Sequence, residues 1–172
     1  MEVNKINSLV ELFFNKCREK KSTNDQQFLK SLKNEKSEFL TWYQVEQDIC
    51  ILSEYLKNNM STKDRCVLLS ENRPEWLIAD LAIMNTGGIT VPLFTTYSEK
   101  DYEYILNDCK PKICIVSNRS QLKKIEKFIS NDTKILSIEN FNEKIESFQT
   151  IKEKFLKKES KIFFKSFNKE IK

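Results

Sequence analysis

The stretch from Arg65 to Tyr97 has the most regular pattern in the chain and limits the folds that are open to it. Its first apolar run, Cys66 to Leu69, is too short for a buried helix and is typical of a strand covered on both faces. Pro74 follows at a place that suits the first residue of a helix, and Gly87-Gly88 ends the helical spacing. A second apolar run, Ile89 to Val91, comes next. This order predicts a βαβ unit with parallel strands and a right-handed crossover.

Finer expectations concern the ends of these elements. Asn72 or Arg73 should cap the helix, and Asn72 is the better cap because its side-chain oxygen accepts a hydrogen bond from a free N–H. One of the two glycines should have a positive φ. Pro92 should end the second strand, since proline cannot donate to a strand ladder.

Strand and helix patterns alternate through most of the remaining chain. Capping boxes at Thr41–Gln44 and Ser98–Asp101 predict the starts of two helices. Helices are predicted over 8–20, 41–58, 98–109 and 120–130, short hairpin strands over 27–32 and 38–40, and buried strands over 113–116 and 134–138. The alternation predicts an α/β fold with a doubly wound, mainly parallel sheet and flanking helices.

The last thirty residues differ in character, so we divide the chain into an α/β unit, residues 1–141, and a lysine-rich helical tail, residues 142–172. Ile145, Phe148 and Phe155 have helical spacing. Residues 152–172 carry a net charge of +5, the whole chain carries +4, and the remainder therefore carries −1. Phenylalanines lie among these lysines, which leaves open that the tail binds nucleic acid by stacking or lies on an anionic membrane. Arginine is absent from it, and lysine runs are more often solvated faces; we therefore expect no nucleic-acid partner.

Composition excludes several kinds of site. The 172 residues include two glycines and no histidine. A phosphate-binding loop needs several glycines, and histidine is the commonest general base. The five cysteines lack the spacing of a zinc site and are expected to be reduced structural thiols. No apolar run is long enough for a membrane span and the start has no signal-peptide pattern, so a cytoplasmic protein is expected.

The polar residues around the first strand are weak catalytic candidates. Glu71 with Glu75 and Asp101 with Glu103 form carboxylate pairs, but Glu75 favours a helix start electrostatically and the others fit solvated faces. Ser70 follows a strand, yet it lacks the glycines and histidine that a nucleophilic serine needs. We therefore predict no catalytic, cofactor-binding or metal-binding residue in this chain.

Two short segments have a better claim to a ligand. Glu71-Asn72-Arg73 and Phe94-Thr95-Thr96-Tyr97 follow neighbouring strands, and open α/β sheets bind ligands at the carboxyl ends of their strands. The simpler interpretation is that Asn72 caps a helix and Arg73 holds a surface carboxylate. The second segment is expected to line a cleft that other chain segments complete.

The sequences LSENRPEWLIADLAI and ITVPLFTTYSEKDYEYILND, with the glycine pair between them, resemble the AMP-forming acyl-CoA synthetases, specifically their long-chain fatty-acid branch. The resemblance is specific over 70–93 and looser over 40–118. It implies an enzyme family that uses ATP, magnesium and coenzyme A to convert a fatty acid to its acyl-CoA thioester, with release of AMP and diphosphate.

The same resemblance implies that residues 69–118 are largely scaffold. The family's phosphate loop, its adenine and ribose contacts, its hinge arginine and its C-terminal lysine have no counterpart in this sequence. We therefore expect an N-terminal part of a fatty-acid–CoA ligase that is inactive alone and binds none of ATP, magnesium or CoA. A truncated sheet would expose an edge and apolar faces, so we expect oligomers or aggregation. The alternative is a stand-alone α/β binding module that uses its strand ends or its basic tail, 152–172.

Overall fold

Five parallel strands form a central sheet in this computed structural model, which describes residues 6–20, 26–33 and 36–157. Most of the basic tail, 152–172, lies outside these residues. The elements, in chain order, are α1 Leu9–Lys20, β1 Gln27–Lys33, β2 Lys36–Thr41, α2 Trp42–Lys57, β3 Arg65–Leu69, α3 Pro74–Asn85, β4 Ile89–Leu93, α4 Glu99–Cys109, β5 Ile113–Val116, α5 Arg119–Ile125, β6 Lys134–Ser137, β7 Glu146–Ser147 and α6, 148–157. The α/β prediction is confirmed.

The strand order of the sheet is β4-β3-β5-β6-β7, and every neighbouring pair is parallel. The chain leaves β3 for β4 on one side and then returns past β3 to β5 on the other. The direction of winding therefore reverses between β3 and β5, and this reversal is the switch point of a doubly wound sheet.

Helices bury both faces of the central strands. Successive residues of a strand point to opposite faces, so β3 contributes Cys66 and Leu68 to one apolar cluster and Val67 and Leu69 to the other. The first cluster packs under α1, α2, α3 and α6, and the second packs under α4 and α5. All four side chains are fully buried, which explains the continuous apolar run in the sequence.

The hairpin of β1 and β2 is antiparallel, as predicted, and packs with α1 beside the first cluster. Its anchor is aromatic: the Phe28 and Trp42 rings stack with centroids 3.7 Å apart, and the Phe13 ring lies 5.9 Å from both. Both predicted capping boxes are present at the starts of α2 and α4.

Three expectations about element ends are wrong. Arg73, not Asn72, is the N-cap of α3, because Pro74 is the first helical residue and fixes the cap one position before it. The β4 strand continues through Pro92 to Leu93, since it pairs with β3 on one side alone and proline is tolerated on an edge. Helix α5 ends at Ile125 rather than at Ser130. After Ile125 the Phe128 N–H donates to the Ile125 carbonyl, which tightens the last turn.

The sequence pattern also missed a strand. Glu146 and Ser147 pair with β6 as the short strand β7, whereas the helical spacing placed them in a helix. The helix begins one residue later, where the Ser147 hydroxyl accepts a hydrogen bond from the Thr150 N–H at 3.2 Å.

Ion pairs fasten β7 and α6 to the body of the fold. Glu146 accepts from the Tyr55 hydroxyl and the Lys154 ammonium at 2.8 Å each, and Lys134 lies 3.3 Å away. These partners lower the pKa of Glu146 to about 2, against the cost of burial. Lys152 of α6 pairs with the buried Asp48 of α2 at 2.6 Å, although burial still raises the pKa of Asp48. The division of the chain at residue 142 stays a prediction.

The glycine pair connects α3 to β4 at the amino ends of the strands. Gly87 has the expected positive φ, 74°. Gly88 is a tight position, because a Cβ there would displace the Met60 methyl group and would lie 3.1 Å from Cγ2 of Ile83. The two glycines are thus explained by a tight connection on the side of the sheet away from the carboxyl ends.

We expect Gly88→Ala to lower the free energy of unfolding by about 1–3 kcal/mol, because the added methyl group overpacks a closed contact. Urea unfolding of the two proteins measures the difference. Lys100→Ala, on the exposed surface of α4, is the control and should stay within about 0.5 kcal/mol. Equal stability of Gly88→Ala and the parent would contradict the contact.

Glu146→Gln should destabilise the protein at neutral pH and make no difference in strong acid. A folded-state pKa below the ordinary value means that the ionised group contributes stability above about pH 4.5, and that this contribution disappears as the pH falls toward about 2. Denaturation midpoints at pH 7, 4 and 2.5 measure the trend. A constant difference across this range would exclude titration of Glu146 as its source.

Candidate functional site

The carboxyl ends of β3 and β5 meet at the switch point of the sheet. In open α/β sheets, ligands bind in the crevice at this position. The loop Ser70–Arg73 leaves β3 here, and Ser117 and Asn118 follow β5. Both predicted ligand segments therefore lie at the same edge, together with the residues after β5 and β6.

Glu71 is the hydrogen-bond acceptor at the centre of this edge. The Gln121 Nε2 donates to its Oε1 at 2.6 Å and the Asn118 Nδ2 at 3.4 Å. Burial raises the pKa of Glu71, but hydrogen bonds from Ser117, from its own backbone, and from Gln121 and Asn118 together hold it below its usual range. Its carboxylate is therefore ionised at neutral pH and joins the end of β3 to the start of α5.

The Ser117 hydroxyl is fully buried beside this network. It has no partner of good hydrogen-bond geometry within the described ranges, and neither does the Oε1 of Gln121. The Ser117 hydroxyl therefore acts on Glu71 as a nearby dipole rather than through a well-formed hydrogen bond.

Arg73 joins the ends of three elements. Its Nε lies 2.9 Å from a carboxylate oxygen of Glu75 in the first turn of α3, and its Nη1 lies 2.7 Å from Glu139, just after β6. Burial lowers the pKa of the guanidinium, and the hydrogen bonds to these two carboxylates more than reverse this, raising it above its usual range. The prediction that Arg73 holds a surface carboxylate matches this geometry. Arg73 provides no side-chain cap, because a guanidinium has no hydrogen-bond acceptor.

Two cavities open on either side of Glu71 and Asn72. One, of about 360 Å³, is bordered by Arg73, Asn118 and Glu139 together with Leu40 and Pro74. The other, of about 410 Å³, has a more apolar lining: Ser70, Glu71, Asn72, Trp76, Pro92, Leu93, Phe94 and Thr95. The two predicted segments thus share one cavity wall.

Two side chains hold the loop after β4 by donating hydrogen bonds to its backbone carbonyls. The Tyr102 hydroxyl donates to the Phe94 carbonyl at 2.8 Å, and the Lys124 ammonium donates to the Thr95 carbonyl at 2.7 Å. The Phe94 side chain itself is 68% exposed, so the fold positions the loop without covering this ring.

A larger cavity, about 650 Å³, lies at the opposite edge, beside Asp64, Lys112 and Thr133. It borders the amino ends of the strands, where the sheet topology gives no convergence of loops. We therefore place the candidate site at the carboxyl edge despite the difference in volume.

The carboxylates considered from the sequence have structural roles. Glu75 pairs with Arg73, and Asp101 accepts from Ser98 in a capping box, which lowers its pKa. Glu103 lies on the exposed surface of α4. The Ser70 hydroxyl donates to the Glu71 carbonyl at 3.0 Å. That these residues are not catalytic stays a prediction.

Metal and thiol chemistry find little support in the described part of the chain. No three or more Cys, Asp or Glu side chains there form a group that could hold a metal ion. Cys66 and Cys114 are buried within β3 and β5, where burial raises the pKa of both thiols.

The charged residues at this edge are mostly acidic. Both glycines lie at the other end of the sheet, and the loops at this edge contain none. The side chains of Glu71, Glu75 and Glu139 are acidic, and the charge of Arg73 is already balanced by two of them.

A comparison with known families decides the relationship: the family described as AMP-binding enzyme matches residues 17–166. The chain belongs to the AMP-binding enzyme family. The resemblance to the AMP-forming acyl-CoA synthetases is confirmed as well, since curated relatives include long-chain-fatty-acid–CoA ligases.

The similarity to these relatives covers part of each protein. The chain is 27% identical over 100 residues to the long-chain-fatty-acid–CoA ligase ACSBG1 of Rattus norvegicus, which is 58% of this chain and 14% of that protein. It is 38% identical over 58 residues to ACSBG2 of Xenopus laevis, or 34% of this chain and 8% of that one. The chain therefore aligns with about a seventh or less of these relatives.

Solved structures share the fold. A long-chain-fatty-acid CoA ligase from Rhodopseudomonas palustris superposes with a TM-score of 0.67 at 17% identity, over 84% of this chain and 36% of that one. The luciferase-like enzyme of Zophobas morio gives 0.72 at 23% identity, over 88% and 35%. The AMP-binding chain described here matches the N-terminal part of acyl-CoA ligase structures.

The sequence argument missed Glu139, Gln121 and Asn118 at this edge. Asn118 and Glu139 closely follow β5 and β6, so the strand-end rule that selected Glu71 would also have selected them. Gln121 lies one helical turn into α5, and its contact with Glu71 has no local sequence signal.

A double-mutant cycle tests the link from β3 to β6. We expect Arg73→Ala to cost more stability than Glu139→Gln, since alanine removes both ion pairs, and we expect a coupling energy of about 0.2–1 kcal/mol between the two sites. Chemical denaturation of both single variants and the double variant measures it. The exposed pair Lys127–Glu99 is the control and should couple less; equal coupling of the two pairs would show that the Arg73 link adds nothing.

Proposed function

We propose that this chain is the N-terminal scaffold of an AMP-forming long-chain fatty-acid–CoA ligase. The proposed overall reaction joins a fatty acid to coenzyme A as a thioester and converts ATP to AMP and diphosphate. The observation that carries the proposal is the family match over 17–166, which spans the whole parallel sheet and its carboxyl edge. The names of the similar ligases give the substrate class.

The role of the described residues is to build and rigidify one wall of the site. Glu71 with Gln121, and Arg73 with Glu75 and Glu139, connect the loops after β3, β5 and β6. In these contacts the charged side chains at the edge pair with other side chains, as we expect of a framework. We assign ATP, magnesium and CoA binding to no described residue, and we propose that the chain alone does not adenylate a fatty acid.

The alternative of a stand-alone binding module depends on the basic tail, 152–172, of which residues 158–172 lie outside the described residues. No contact described here favours it, and it stays a prediction, as do contact with a membrane surface and a cytoplasmic location. No helix in the described ranges has the length and apolar character needed to cross a membrane.

Grafting tests the proposal. Residues 17–157 would replace the matching segment of a long-chain-fatty-acid–CoA ligase relative, and fatty-acid-dependent ATP–diphosphate exchange and acyl-CoA formation would be measured with palmitate. We expect the graft to retain measurable activity, because the sheet it supplies is equivalent, and we expect the 172-residue chain alone to show no exchange.

The control is the same graft with Gly88→Val. This variant should lose folding and activity together, because a branched side chain at position 88 would collide with Met60 and Ile83. Circular dichroism and thermal melting separate the two causes. A graft that melts cooperatively but is inactive would count against the proposed role, and exchange by the chain alone would show that its own residues are catalytic.

A further inference from the structure

β4 is one of the two edge strands of the sheet among the described residues, and β7 is the other. In the described part of the chain, β4 hydrogen-bonds to β3 on one side and has no strand neighbour on the other. An open strand edge presents unpaired N–H and C=O groups, which is a template for pairing with another chain.

Apart from its proline, the sequence of this edge favours such pairing. Residues 89–94, ITVPLF, contain no charge and consist of β-branched and other apolar residues around one proline. Windows of this composition that lack proline are the usual starting points of strand-mediated association. The side chains at both ends, Ile89 and Phe94, are 48% and 68% exposed.

The register shows which groups face outward. The Ile89 N–H donates to the Asp64 carbonyl at 2.9 Å, and pairing continues in register to Leu69 opposite Leu93. Successive residues of a strand direct their backbone groups to opposite sides, so Ile89, Val91 and Leu93 bond to β3. Thr90 and Pro92 therefore face the open edge.

Proline has no N–H. Within β4, Thr90 is thus the one residue that offers an outward donor, and a second strand cannot build a ladder along the edge. The same geometry explains why β4 continues through Pro92, because the missing N–H is on the side that β3 does not use.

We propose that Pro92 closes the outer edge of β4 against strand addition by a second copy of this chain. Two copies have identical edges, so without the proline they could pair about a two-fold axis. The proposal is independent of catalysis. It bears on one of the two sheet edges in the described part of the chain, since β7 at the other end also pairs on one side alone.

The test is the full 172-residue chain with Pro92→Val. The variant gains an outward N–H in each copy, so self-association should strengthen by about tenfold or more relative to the parent. Light scattering after size-exclusion chromatography at several concentrations measures the association, and hydrogen exchange should show protection of the new amide at position 92 in the associated form.

Matched variants identify the cause. Pro92→Val with Thr90→Pro again has a proline at an outward position and should return association to the parent level, whereas Pro74→Ala, which removes a proline from the start of α3, should not raise it. Pro92→Ala creates the same N–H with a weaker strand former. If the valine variant does not fold, the self-association of Pro92→Ala is compared with that of the parent instead. Folded Pro92 variants that associate no more than the parent, or association that persists with Thr90→Pro, would overturn the proposal.

Discussion

Burial of β3 and β5 on both faces is the constraint on which the rest of the structure depends. Each strand has a neighbour on both sides and helices above and below, and the side chains of Val67, Leu68, Cys114 and Ile115 are almost inaccessible to solvent. Their backbone groups must therefore bond to adjacent strands. The helices must in turn present apolar side chains to the sheet and be connected by short loops, which sets the strand-helix alternation of the sequence.

This constraint also explains what could be predicted from the sequence. The buried runs at Cys66–Leu69 and Ile113–Val116, the capping boxes and the glycine stop are local signals of strong physical preferences, and all are present in the structure. β7 could not be predicted in this way, because two residues are too few for a periodic pattern and their strand conformation depends on pairing with β6. The early end of α5 is likewise decided by a turn and not by apolar spacing.

The site was predicted at the level of its edge and not of its contacts. Strand ends in a parallel sheet converge, so placing Glu71 and Phe94 together required only the strand assignment. The partners of Glu71 and Arg73 depend on side-chain reach across loops, which sequence spacing does not encode. Choosing Asn72 as the cap also failed for this reason: capping chemistry favours Asn72, but the position of Pro74 and the two carboxylates near Arg73 decide the backbone.

The pairing of the charges at this edge supports the proposal of a framework rather than a catalytic centre. A group that stabilises developing charge in a reaction has to be available to the substrate, whereas Arg73 is paired with two carboxylates and Glu71 accepts from two amides. Binding a polyphosphate at this place would require breaking the Arg73 pairs and would bring the ligand beside three carboxylates. These pairings support our proposal that the carboxyl edge is a supporting wall, in which electrostatic pairing holds three loops in place.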